Sequence, residues 1–183
     1  LLTPLIVHRL RTHMFVVKME QASTDLYDYM RDHLNPQKCL QACYDIATAV
    51  HWMHDHGIAH RDIKPENIVL HNGRWKLIDW DFCSPLEEFV HCGTEAFMCK
   101  HEMTKQWEGS PADSSRRADV YAFGKLVLCI IMATVCRKFI EPYRKLMKMF
   151  KSDYVSSHSI KLPAEWQDWL DLAVACCAKQ PPI

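Results

Sequence analysis

The chain has 183 residues, 49% of them hydrophobic and 24% charged, and its 22 Lys and Arg balance 22 Asp and Glu for a formal net charge of zero. That length and apolar content suit one globular unit with an ordinary core, and balanced charge removes the long-range field that draws nucleic acid or anionic membranes, so neither is expected as a partner. The most apolar stretch, Leu126–Val135, is ten residues long, short of the ~20 needed to cross a bilayer, and reads as a buried helix.

The nine cysteines form an odd set with no C-x-x-C pair. That pattern fits reduced thiols in the cytoplasm or nucleus rather than a disulfide scaffold or a zinc site, and no secretory leader is evident. His51, His54 and His56, close together near one predicted helix end, read as surface or packing residues. The first residue is Leu1 rather than Met, which reads as a piece of a longer reading frame.

In chain order, residues 5–10 and 14–20 carry the β-branched and aromatic content of two paired strands. Asp25–His33 reads as a short helix. Asn35 then caps a longer one with Pro36 at its first position, and its apolar residues Leu40, Cys43, Ala47, Val50 and Met53 follow the helical period until Gly57. Ile68–Leu70 and Trp75–Ile78 flank His71-Asn72-Gly73-Arg74, where Asn-Gly signals a hairpin because both residues tolerate positive φ. Residues 80–117 lack periodicity and read as loop. Ala118–Thr134 is apolar almost all round, as a central buried helix is, and residues 140–151 and 163–178 carry two further helical patterns.

The chemistry lies in His60-Arg61-Asp62-Ile63-Lys64-Pro65-Glu66-Asn67, just before the hairpin, and in Asp79, just after it. A two-stranded ribbon returns its outer ends to one edge, so Asn67 and Asp79 should converge. A carboxamide and a carboxylate form the oxygen half-shell that Mg²⁺ takes when phosphate oxygens supply the remainder. Asp62 can accept a proton from an incoming hydroxyl, and Lys64 can neutralise charge on a transferred phosphoryl group.

These residues resemble the eukaryotic-type protein kinase family. His60-Arg61-Asp62 with Asn67 is similar to its catalytic loop, Asp79-Trp80-Asp81 stands at its Asp-Phe-Gly position, and Gly93–Met98 resembles the segment leading to Ala-Pro-Glu. Asp119 in "ADVYAFG" is similar to the buried Asp of the family's central helix, which ties down the catalytic loop, and Thr94 to the Thr that contacts the catalytic Asp. Met19-Glu20-Gln21 resembles the hinge that hydrogen-bonds adenine.

The resemblance implies an α+β, protein-kinase-like fold. It would be a partial kinase domain over 1–183, with residues 1–22 as edge strands and hinge of the small lobe and 23–183 as the helical C-lobe. It implies ATP and Mg²⁺ as cofactors, with Asp62, Lys64 and Asn67 catalytic, Asn67 and Asp79 on the metal, and Met19, Glu20, Gln21, Asp25, Val69 and Asp79 around the nucleotide. The expected partner is a protein substrate with a Ser or Thr acceptor, a preference indicated by Lys64 two residues after Asp62. Glu66 and Asp25 are similar to positions that in some members meet basic substrate residues. Oligomeric state is not legible.

The chain departs from the family pattern in several places. The Gly-rich loop, the strand Lys and its helix Glu partner are missing, and Lys18 in "VVKME" reads as an ordinary strand residue. Asp81 replaces a Gly, Cys99-Lys100-His101-Glu102 replaces Ala-Pro-Glu, and Ser84 and Thr94 carry the only hydroxyls between Asp79 and Glu102. Glu87 or Glu88 is a candidate permanent anion opposite Arg61. The expectation is therefore a Ser/Thr kinase whose chain here is a fragment, with a protein-binding pseudokinase or scaffold as the alternative.

Overall fold

In the computed structural model, residues 4–11, 14–88, 90–99, 109–135 and 164–178 are described. The β-branched opening forms β1 (Pro4–Arg11) and β2 (Met14–Met19), paired antiparallel with irregular register near both ends. Lys18 is an exposed residue of β2. The chain then leaves the ribbon and crosses to a second sheet through β3 (Thr24–Asp25).

Asp25 ends that strand and also starts α1 (Leu26–Asp32), its side chain accepting the Asp28 N–H at 2.8 Å. Asn35 does the same for α2 (Pro36–Asp55), accepting the Lys38 N–H at 3.1 Å with Pro36 in the first turn, where its missing N–H costs nothing. Beyond the last turn, Gly57 takes φ +74° and reverses the chain. The face of α2 carrying Cys39, Leu40, Cys43, Ile46, Val50 and Met53 is buried.

β4 (Ile58–Ala59) leads into the His60–Asn67 loop, which ends in a 3₁₀ turn over Pro65–Asn67. β5 (Ile68–His71) and β6 (Arg74–Leu77) form the expected hairpin, with Asn72 and Gly73 both at positive φ, and β3 adds to its other edge. The turn takes two residues rather than four, because His71 and Arg74 pair as strand residues.

Buried Asp45 of α2 fixes this hairpin by accepting the Trp75 N–H at 2.9 Å and the Arg74 guanidinium at 2.6 Å. The Trp75 indole N–H reaches the Lys38 carbonyl at 2.9 Å, and its ring meets Tyr29 edge-on at 5.2 Å. Any shift of α2 would therefore move the strand that Asn67 opens.

Residues 80–117, expected as loop, contain β7 (Ser84–Pro85) against β4, a 3₁₀ turn over Glu95–Phe97, and the start of α3 (Pro111–Val135). The central helix thus begins seven residues earlier than its apolar run suggests. Its first turns are polar, but Ser110 and Asp113 cap them reciprocally: Ser110 N–H and hydroxyl donate to Asp113 at 3.0 and 2.8 Å, and Asp113 N–H returns to the Ser110 hydroxyl at 3.2 Å.

From Ala122 to Ile131 α3 is buried on every side, and α4 (Ala164–Cys176) packs on it where Gly124 leaves room. A Cβ there would stand 2.6 Å from that of Cys176. The predicted helix at 140–151 lies outside the described residues, and no described helix is long and apolar enough to cross a membrane.

Candidate active site

The loop's backbone is set by α3. Asp119, fully buried, accepts the His60 N–H at 2.8 Å and the Arg61 N–H at 2.7 Å, one on each carboxylate oxygen. His54, in the last turn of α2, lies 3.0 Å from the same carboxylate through Nε2. These contacts hold Arg61 at φ +70°, a left-handed conformation that costs a non-glycine residue roughly 1–3 kcal/mol. The strained turn projects Asp62.

Asp62 is buried and heavily solvated by side chains. Its Oδ2 lies 2.5 Å from Lys64 Nζ and accepts Asn67 Nδ2 at 2.9 Å, while Oδ1 accepts the Thr94 N–H at 2.9 Å and the Thr94 hydroxyl at 2.7 Å. Lys64 also reaches Thr94 Oγ1 at 2.9 Å. Burial alone would raise the Asp62 pKa, but the hydrogen bonds from Lys64 and Thr94, with the Lys64 charge, outweigh it and leave the carboxyl below its ordinary range. Asp62 is thus a charged acceptor at neutral pH.

Asn67 donates Nδ2 to both the carbonyl and the carboxylate of Asp62, which leaves its carboxamide oxygen for another partner. Its own carbonyl accepts the Ile78 N–H at 2.9 Å, so the outer ends of the hairpin do meet and Asp79 follows immediately. Asp79 stands at φ +66°, exposed, and its carboxylate accepts no hydrogen bond from the described residues. A strained backbone that exposes an unpaired carboxylate one residue past the Asn67–Ile78 bond, with the Asn67 amide oxygen also unengaged, is a donor set that suits a divalent cation whose remaining ligands come from phosphate and water.

Asp81 is exposed and not at positive φ, so the position does not require the glycine it replaces. Among the described residues no cluster of three or more His, Cys, Asp or Glu could hold an ion. Burial pushes the thiols of Cys39, Cys83, Cys129 and Cys177 up to about 12, which suits packing rather than ligation.

His60 links the parts. Its Nε2 lies 3.1 Å from the Ile78 carbonyl, its Nδ1 faces the Asp62 N–H at 3.3 Å, and Trp80 meets its ring edge-on at 5.2 Å. Burial holds its pKa below the ordinary value. A base whose pKa falls on folding stabilises the fold fully above its unfolded pKa, roughly 6.5, and progressively less as pH drops toward the folded value. Protonation would also turn the Nδ1 acceptor into a donor facing an N–H. Thermal unfolding should therefore show a lower Tm at pH 5 than at pH 7.5, and His60→Gln should flatten that slope.

Arg61 points away from Asp62. Its guanidinium donates to the carbonyls of Val90, at 2.9 Å, and Glu88, and to the Ser115 hydroxyl at 3.0 Å. The Ser115 hydroxyl, with one proton to donate, lies 2.8 Å from the Leu86 carbonyl and 2.9 Å from that of Pro111. The expectation that Glu87 or Glu88 meets Arg61 through a carboxylate is corrected: both side chains are exposed, and it is the Glu88 backbone that Arg61 holds.

Gly93 passes over this turn at φ +115°, where a Cβ would collide with the Arg61 carbonyl oxygen. Gly93→Ala should displace Thr94 from Asp62. The expected result is a Tm lowered by several degrees, since such strain costs on the order of 1–3 kcal/mol.

Asp62, Lys64 and Asn67 are therefore in direct contact, with Asp79 one residue beyond a shared backbone bond. Asp25 sits opposite Val69, two residues along β5 from Asn67. Met19, Glu20 and Gln21 are exposed, and no described backbone hydrogen bond engages residues 20–22. Sequence reasoning passed over Ser115, took His54 for a surface or packing residue, and placed His71 only in the hairpin turn. The polar start of α3 was the signal for Ser115; His54 and His71 carry no local signal of their distant partners.

Comparison with known proteins agrees with this geometry. The family model described as "Protein kinase domain" matches residues 6–182. A dual serine/threonine and tyrosine protein kinase of Takifugu rubripes is 32% identical over 130 residues, which cover 69% of this chain and 13% of that protein. Cyclin-dependent kinase-like 5 of Mus musculus is 32% identical over 112 residues, covering 58% of this chain and 11% of that protein. The matched region is thus a small part of either relative's length. With Asp62, Lys64 and Asn67 in contact, Asp79 at the end of the following hairpin, and a family model spanning nearly all its length, the chain belongs to the protein kinase domain family.

Proposed function

We propose that the protein transfers the γ-phosphoryl group of ATP to a serine or threonine hydroxyl of a protein substrate. The observation that carries this is the Asp62 carboxylate, kept ionised by Lys64 and Thr94 and aligned by Asn67. Met19, Glu20 and Gln21 would present their backbone edge to the adenine, with Val69 beneath it and Asp25 at the ribose. Asn67 and Asp79 would hold Mg²⁺, which when bound neutralises phosphate charge.

Asp62 accepts a hydrogen bond from the substrate hydroxyl and orients its oxygen in line with the γ-phosphorus. The new O–P bond forms as the bond to the β-phosphate oxygen breaks, and the hydroxyl proton passes to Asp62. A carboxylate with a depressed pKa is a weak base, so orientation comes first and proton transfer follows once O–P bonding has made the hydroxyl acidic. Lys64, already at the same carboxylate, is placed to balance charge on the group in transit.

The position of Lys64 supports Ser and Thr over Tyr. Reduced thiols at the described cysteines support a cytoplasmic or nuclear setting. The test is phosphate transfer from γ-labelled ATP to a mixed protein substrate, followed by phosphoamino-acid analysis. Phosphoserine and phosphothreonine are expected; phosphotyrosine alone would overturn the selectivity, and ATP binding without any transfer would favour a scaffold.

A further inference from the structure

Strand β5 is bonded to three parts of the segment that crosses from β2. Asp25 pairs with Val69, the Ser23 N–H and hydroxyl both donate to the Leu70 carbonyl at 2.9 and 2.8 Å, and Glu20 Oε2 lies 3.1 Å from His71 Nε2. The residues between these attachments, Glu20–Ala22, have no described backbone bonds of their own. The segment leaves β2 at Met19, and its bonds to β5 lie at its two ends, Ser23 on one side and the Glu20–His71 contact on the other.

That contact is unusual in its chemistry. The His71 side chain is only 8% exposed, whereas Glu20 is 42% exposed, and His71 Nδ1 is buried without a hydrogen-bond partner. A carboxylate can only accept, so Nε2 carries the proton and donates to Glu20. This orients the ring and leaves Nδ1 buried without a partner, a desolvation cost that the fold tolerates rather than repairs. An imidazole kept under those terms, at the end of the strand that follows Asn67, has its value in the one side-chain bond it makes.

We infer that His71 is a positioning residue for nucleotide binding: through the Glu20 side chain it fixes the free backbone edge of Glu20 and Gln21 relative to β5, and so to Asn67 just before that strand. The inference rests on the ATP-binding reading above. It adds that purine affinity depends on a side chain that does not touch the purine. His71 acts before chemistry, so its removal should change KM for ATP and leave kcat nearly alone.

The experiment is steady-state kinetics and direct ATP binding on the protein with His71→Leu, Glu20→Ala and the double variant. Each single change should raise KM and Kd for ATP about 5- to 10-fold, the loss of one charge-assisted hydrogen bond, with kcat within about twofold. The double variant should be no worse than either single one, and His71→Gln, whose amide can still donate, should recover most of the affinity. Glu20 is a surface residue, so its variant reads the effect without risk to the core. Unchanged KM in both singles, an equal fall in kcat, or additive effects in the double variant would overturn the inference while leaving the kinase reading intact. Failure of the unaltered protein to bind ATP would overturn both.

Discussion

Asp62→Asn should reduce phosphate transfer by about 10²–10⁴-fold, the range for removal of a positioned proton acceptor, while ATP affinity and Tm change little. An amide is close in shape to a carboxylate, and its oxygen can still accept from the Thr94 N–H or from Asn67. What it cannot do is take the substrate proton or balance Lys64, whose ammonium lies 2.5 Å from Oδ2. A neutral side chain there leaves Lys64 free to lean toward the phosphates, which favours retained nucleotide binding. The informative readout is therefore the split between kcat and KM, measured beside a melting curve. Loss of binding together with activity would instead indicate collapse of the loop.

Asp119→Ala should be the most destabilising single change at the site. The carboxylate accepts two backbone N–H groups at 2.7 and 2.8 Å and faces His54 at 3.0 Å, all in the interior. Without it the two N–H groups are buried and unsatisfied, each at roughly 1–3 kcal/mol. The left-handed turn at Arg61 also loses what holds it. A total of about 3–5 kcal/mol is a large share of the 5–15 kcal/mol typical of a domain, and corresponds to a Tm lowered by roughly 10 °C. Residual folded protein should be inactive, since relaxation of Arg61 re-aims Asp62. A Tm within two or three degrees of the unaltered protein would show that the turn is held by something else.

Elements whose signal is local were the ones legible in sequence. Asn35-Pro36 and Asn72-Gly73 fix a helix start and a hairpin turn through the chemistry of two adjacent residues, and both are where expected. The hairpin brings the backbones of Asn67 and Ile78 together, with Asp79 next in the chain, so that adjacency followed from spacing. The start of α3 was missed because apolar periodicity was weighed above capping: Ser110-Pro111-Ala112-Asp113 is a strong start signal, but the next two turns are polar, with Ser115 meeting the Arg61 guanidinium and the Leu86 carbonyl.

Long-range polar contacts were not legible beyond the family resemblance. Nothing near His71 predicts a partner at Glu20, and nothing near Glu87 and Glu88 reveals that Arg61 takes a backbone carbonyl there. Such bonds depend on where two distant segments come to rest.

The central claim is that Asn67 and Asp79 together hold a cation that brings ATP to Asp62. Its most direct test is ATP affinity measured with and without Mg²⁺ for the unaltered protein, Asn67→Ala and Asp79→Ala. Mg²⁺ should tighten ATP binding to the unaltered protein, and that gain should vanish in both variants. ATP affinity indifferent to Mg²⁺, or a gain that survives both substitutions, would contradict the account.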